Sequence, residues 1–168
     1  MSTSDSGDNP EQMVTVHIVA LPVDIHVQAQ QHGDEVTREL MLVAEQLHQQ
    51  GNSGGLPARF IELVSTLNTR YSIFTAEQEL QLANAIESGH PTVDLSYTLP
   101  ASVAEAAGHL GEILDEVDQY CREGKLLLTL ETPPSLVTYR RWFLDQFVDQ
   151  ATGKPPVAWS DYQPAATG

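Results

Sequence analysis

A chain of 168 residues with 23 acidic against 8 basic side chains carries a formal net charge of −15. That balance argues against nucleic acid and anionic membrane surfaces as partners, since both require clustered cations. The length suits one domain able to bury a sizeable core, and the single cysteine, Cys121, rules out an internal disulfide or a cysteine metal cluster.

The opening stretch, MSTSDSGDNPEQ, is polar and acidic where a signal peptide would be basic and then apolar. Residues 1–12 are therefore expected to be a disordered tail, followed by one globular domain over 13–151 and an irregular Pro/Gly-rich tail over 152–168. With one cysteine and no transmembrane-length run, the expected location is the cytoplasm.

From Val14, VTVHIVALP is rich in β-branched residues and closes at Pro22, which predicts a strand. A helix is expected from an Asp24 N-cap towards His48, because Ile25, Ala29, Val36, Leu40, Val43 and Leu47 fall on one stripe. Gly33 sits inside that pattern as a weak point. QQGNSGGLP then reads as a loop. A second helix is expected over about 58–71, with Phe60, Val64, Leu67 and Tyr71 on one face. Thr75 and Gln78 match a capping box, which predicts a separate third helix ending near Gly89.

TVDLSYTL, closed by Pro100, predicts a second strand. Ser102 and Glu105 match another capping box. On the helix that follows, Val103, Ala107, Leu110, Leu114, Val117 and Cys121 share one face, while Glu105, Glu112, Asp115, Glu116, Asp118 and Glu123 form an acidic wall opposite. Gly124 suits its C-terminal cap. The run Leu126, Leu127, Leu128, Thr129, Leu130 lacks polar alternation and reads as a strand covered on both faces. Strand, proline and helix thus recur three times, at VALPVDI, YTLPASV and LETPPSL. The second and third strands, if they share a sheet, would pair in parallel.

The last helix is expected to begin with Thr132 as cap and Pro133 in its first turn. Leu136, Val137, Phe143, Leu144, Phe147 and Val148 define an arc that Tyr139 and Trp142 widen beyond what one neighbour would cover. Arg140 falls inside that arc. Either its guanidinium pairs with an internal carboxylate such as Glu131, or Arg140, Trp142 and Tyr139 belong to a protein-contact surface, where Arg and Trp are common anchors. Arg141 is expected to pair with Asp145 along the helix. Trp159 and Tyr162 are placed to pin the first half of the tail. The fold expected from these elements is a helix-rich α/β or α+β domain, with about five helices on a small sheet of about three strands.

No phosphate loop, dinucleotide fingerprint, nucleophile elbow, HExxH pair or calcium loop is present. The histidines at 17, 26, 32, 48, 90 and 109 include no pair at helical metal-ligand spacing. Cys121 lies on the core face of its helix and reads as a small hydrophobe. No metal, cofactor or catalytic residue is expected.

TPPSLVTYRRWFLDQFVDQATGKPPVAW, with the upstream PTVDLSYTLPASVAEAAGHLGEILDEVDQYC, resembles a group of small acidic actinobacterial proteins. Genes of that group tend to lie beside partner-switching regulators, the ATPase-type anti-sigma kinases and their STAS-domain antagonists. The resemblance spans roughly residues 14–160 and supplies no catalytic residue. The chain has neither the Asp-Ser-x-Gly-like loop of a STAS antagonist nor the Asn-box and Gly-rich lid of the ATPase.

Two functions follow as expectations. The first is a non-catalytic regulatory or adaptor protein acting through contacts with a protein partner, in the sigma-factor setting that the resemblance implies, with homo-oligomerisation left open. The second is a small-ligand binder or enzyme with a site at the strand-to-helix junctions near Pro22, Pro100 and Pro133.

Overall fold

Two segments alternate apolar and polar residues at the strand period, and they pair with each other. The computed structural model describes residues 11–124 and 131–162. Strand β1, Met13–Pro22, runs antiparallel to β2, Thr92–Pro100. Val16, Ile18, Leu95, Tyr97 and Leu99 turn inward and are buried, whereas Thr15, His17, Ser96 and Thr98 face outward. Cross-strand pairs hold the outer face: Thr15 and Thr98 join by their hydroxyls at 3.2 Å, and His17 Nδ1 meets Ser96 Oγ at 2.8 Å. The register slips between Ile18 and Leu21, where Ala20 takes a φ of 54° and its amide donates to Asp94 Oδ1 at 2.7 Å. That carboxylate offsets the strain of a left-handed alanine by giving the bulge amide a charged acceptor.

A two-stranded sheet has two open edges, and at one cross-strand pair a glutamine amide meets each of them. On β1, Gln150 Oε1 accepts from the His17 amide and Gln150 Nε2 donates to the His17 carbonyl, each at 2.8 Å. On β2, Gln78 Nε2 donates to the carbonyl of Ser96, the register partner of His17, at 2.5 Å. Side chains thus take the place of a further strand at this position.

Four helices follow: α1, Val23–Gln49; α2, Leu56–Glu87; α3, Val103–Arg122; and α4, Pro134–Ala151. They pack in a closed circuit in which α1 meets α2, α2 meets α3, α3 meets α4 and α4 returns to α1. The sheet lies against α2 and α4. The domain is therefore helix-rich α+β. Two groups of buried side chains result. One lies between sheet and helices and includes Ile18, Leu95, Tyr97, Tyr139, Trp142 and Phe147; the other, Val36, Leu40, Phe60, Ile113 and Val117, lies among α1, α2 and α3.

Several local expectations are corrected. The two helices expected on either side of Thr75 are one continuous α2. No Gly or Pro interrupts YSIFTAEQ, and Thr75 spends its hydroxyl inside the helix, donating to the Ser72 carbonyl at 3.3 Å instead of capping. Ser102 makes no cap either: its hydroxyl meets the Tyr71 hydroxyl at 2.9 Å, and Glu11 accepts from its amide at 3.1 Å. Helix α1 starts at Val23, which places Asp24 in the first turn, and it passes Gly33 without a break. The third extended segment, 126–130, and any parallel pairing it makes lie outside the described residues. Among those residues the sheet has two strands and the α-helices number four, with a short 3-10 helix at Trp159–Asp161.

Candidate ligand-binding site

The apolar stripes of the four helices do not fill the space they enclose. Inside the circuit lies a cavity of about 580 Å³, within the range of roughly 300–1,000 Å³ common to small-molecule sites. Each helix contributes to its wall: Val36 from α1, Phe60 and Val64 from α2, Leu114 and Val117 from α3, Leu136, Phe143 and Leu144 from α4. Gln30, Asp34 and Asn68 are exposed and form its polar rim. Bundle cores are a recurrent place for such sites, because facing helices bring distant residues together.

One end of the cavity is polar, and its centre is Asp118, which is 5 % exposed. Asp118 Oδ1 accepts from the Thr132 hydroxyl at 2.5 Å and from the Thr132 amide at 3.3 Å, while Oδ2 accepts from Arg140 Nη2 at 2.9 Å. Arg140 Nη2 also donates to Asp115 Oδ1 at 2.7 Å. His32 Nε2 lies 2.9 Å from Thr132 Oγ1. A carboxylate only accepts, so the Thr132 hydroxyl proton is committed to Asp118, and the hydroxyl oxygen accepts from His32 Nε2–H. The histidine is thus a donor here and the threonine cannot be activated by it. This is a lock and lacks the geometry of a nucleophile with its base.

His26, also on the wall, has a different environment. Its Nδ1 lies 2.6 Å from the Tyr139 hydroxyl, and its Nε2 is buried without a hydrogen-bond partner. Burial holds the His26 imidazole below the ordinary histidine value and pushes the Tyr139 hydroxyl above that of tyrosine. A neutral ring carries one proton. If Nδ1 held it, both the phenol proton and the Nε2 lone pair would lack partners; with Tyr139 donating to Nδ1, only Nε2–H does. The second arrangement is favoured, since each buried unpaired group costs about 1–3 kcal/mol.

The residues that the sequence offered as a protein-contact surface lie inside the fold. Trp142 is 0 % exposed; its Nε1 donates to the Val157 carbonyl at 2.8 Å, while Gln146 Oε1 accepts from the Val157 amide at 2.9 Å. Trp159 meets Trp142 edge-on at 5.5 Å between ring centroids and Tyr139 at 5.9 Å, so the wide arc of α4 is covered in part by the chain's own C-terminal segment. Tyr162 stacks on Trp159 and donates to Asp145 at 3.4 Å. Tyr139 is 4 % exposed and faces His26. Arg140 pairs with Asp118 and Asp115 in place of Glu131, which instead pairs with Arg122. Arg141 lies 4.0 Å from Asp115, and that contact replaces the expected one with Asp145. Thr132 belongs to the Asp118 lock, and Pro133 is the residue at the N-cap of α4. Cys121 is half-buried, away from the cavity wall, with its thiol pushed up to about 11 by burial.

Asp118 and His26 are the two site residues that sequence reasoning missed. Asp118 follows Leu114 by four positions and precedes Cys121 by three, which places it on the apolar face of α3 and off the acidic wall. Among the described residues no three metal-ligating side chains converge. No family model, no curated protein and no solved structure matches the chain.

The lock makes a sharp difference between neighbouring charges. Asp118→Ala should lower stability in urea denaturation by about 2 kcal/mol, since it removes the acceptor of the Thr132 amide and hydroxyl and leaves the largely buried guanidinium of Arg140 with Asp115 alone. Arg141→Ala, at a half-exposed contact, should cost under about 0.5 kcal/mol. Equal losses would contradict the assignment.

Proposed function

We propose that the protein is a non-catalytic regulatory protein whose primary act is to hold a small, largely apolar molecule in the four-helix cavity. The observation that carries this reading is a cavity walled by all four helices and lined mainly by apolar side chains, on whose wall His32, Thr132, Asp118 and Arg140 form one hydrogen-bonded network. Those polar groups are committed to one another, which supports binding over turnover. The thiol of Cys121 is raised by burial and lies off the wall, and the Thr132 hydroxyl is held by a carboxylate. Titration with the neutral fluorophore N-phenyl-1-naphthylamine should show saturable enhancement from a single site. Val64→Trp, which fills the cavity, should abolish it while cooperative thermal unfolding persists. Enhancement that never saturates, or that survives in Val64→Trp, would overturn the reading.

A second observation supports contact with a protein partner, the role that the sequence resemblance sets within sigma-factor partner switching. On the C-terminal half of α2, Ile73 and Leu80 are 80 % and 67 % exposed, and with the exposed Ala76 and Ala83 they form a row at coiled-coil spacing. This row, and not the buried Tyr139 and Trp142 with the ion-paired Arg140, is the contact surface of that reading. Ile73→Asp/Leu80→Asp should lose any partner recovered from the native cytoplasm by the unaltered chain, and should still bind the fluorophore. Recovery of the same partners by both forms would remove α2 from the account.

A further inference from the structure

The exposed apolar row on α2 is bordered by charges of one sign, which narrows what can cover it. We infer that its occupant is a basic amphipathic helix of a partner protein, with large aliphatic side chains along one face and Lys or Arg on both flanks of that face. This rests on the reading of α2 as a contact surface and goes beyond it by naming the partner's chemistry.

At helical pitch, Ile73, Ala76, Leu80 and Ala83 lie opposite Tyr71, Gln78, Leu82 and Ala85, the residues by which this half of α2 packs on the domain. In heptad terms Ile73 and Leu80 take a, and Ala76 and Ala83 take d. The two alanines let a second helix come close and leave room there for its larger side chains. The flanking e and g positions are Glu77 and Glu79, both exposed, and the next a position is the exposed Glu87. Glu77 accepts from the Gln81 amide at 3.4 Å and Glu79 from the Thr75 hydroxyl at 3.3 Å, so their hydrogen bonds go to neutral groups. Among the described residues no ion pair neutralises any of these three glutamates, and α2 has no basic residue in its last turn.

Flanking charges set which helix pairs with which. A second copy of this chain fits the row by size when antiparallel, with Ile73 over Ala83 and Leu80 over Ala76. That alignment sets Glu77 against Glu77 and Glu79 against Glu79, and a parallel alignment sets Glu87 against Glu87. Like charges in such places oppose pairing, and each copy carries a net charge of −15. An anionic lipid surface meets the same repulsion. Cationic flanks on the incoming helix turn every one of these contacts into an attraction.

The test uses two fluorescein-labelled peptides of three heptads with leucine at a and d, one with lysine at e and g and the other with glutamate. Their own like-charged flanks keep each peptide from pairing with itself. By fluorescence anisotropy at low salt, the full chain should bind the lysine peptide about tenfold more tightly than the glutamate peptide, the sum of a few exposed charge pairs. Added salt should narrow the gap. Ile73→Asp/Leu80→Asp should lose the lysine peptide although it adds two carboxylates, which separates docking on the row from simple attraction to an acidic chain. Glu77→Lys/Glu79→Lys, altered only at exposed positions, should reverse the preference. Equal affinity for the two peptides, both lost in Ile73→Asp/Leu80→Asp, sinks the basic partner and leaves the contact surface standing. Lysine-peptide binding undiminished in Ile73→Asp/Leu80→Asp sinks the surface as well. A dimer in sedimentation, or flotation with phosphatidylcholine vesicles, that this variant abolishes would put a second copy or lipid on the row and overturn the inference.

Discussion

The carboxylate of Asp118 is the group on which the arrangement of helices depends. An ion this far from water is stable only when its lone pairs are met, and three donors from two residues meet them. Two of those donors belong to Thr132, immediately ahead of α4, and the third to Arg140 within α4. Through the Thr132 hydroxyl the same network reaches His32 on α1. One anion on α3 therefore sets where α4 begins, how it lies along α3, and where α1 approaches both. Helix α2 is held to α3 differently, by Phe60 in the second cluster, by the Tyr71–Ser102 hydroxyl pair and by an exposed Arg59–Glu116 bridge at 3.0 Å.

That division accounts for an open space inside a ring of amphipathic helices. Of the two apolar clusters, one lies against the sheet and one among α1, α2 and α3, and side chains of both line the cavity beside the lock. Aliphatic side chains cannot advance over Asp118, Thr132 and Arg140 without breaking hydrogen bonds that no water would replace. The seam between the clusters stays unfilled, apolar along its sides and polar at one end. On the far side of the domain, Gln150 and Gln78 meet the outward backbone groups of His17 and the carbonyl of Ser96 at the two edges of the sheet.

Much of this was legible in the sequence, because hydrophobic period reports which side of an element is buried. The strands ending at Pro22 and Pro100, the stripes of α1 and α3 and the wide arc of α4 all appear where their spacing puts them. Local polar signals were less faithful. Thr75, Ser102 and Thr132 each match a helix-capping pattern, yet each hydroxyl is used elsewhere: within α2, against Tyr71, and on Asp118. A capping motif states what a hydroxyl can do in isolation, and tertiary partners decide what it does. The arc around Trp142 was read as surplus apolar surface for a partner, but residues 154–162 return over it, which no periodicity within α4 could reveal. Asp118 was visible in principle, as an acid on an apolar stripe. The pairing of His26 with Tyr139 joins residues 113 positions apart and has no local signature.

The account stands on the space between the four helices being real and apolar along its walls. A crystal equilibrated under xenon probes that directly, since xenon occupies such cavities without needing any polar group. The account predicts xenon density bounded by Phe60, Val64, Leu114 and Phe143. Those four side chains meeting in direct contact, with no xenon between them, would contradict it.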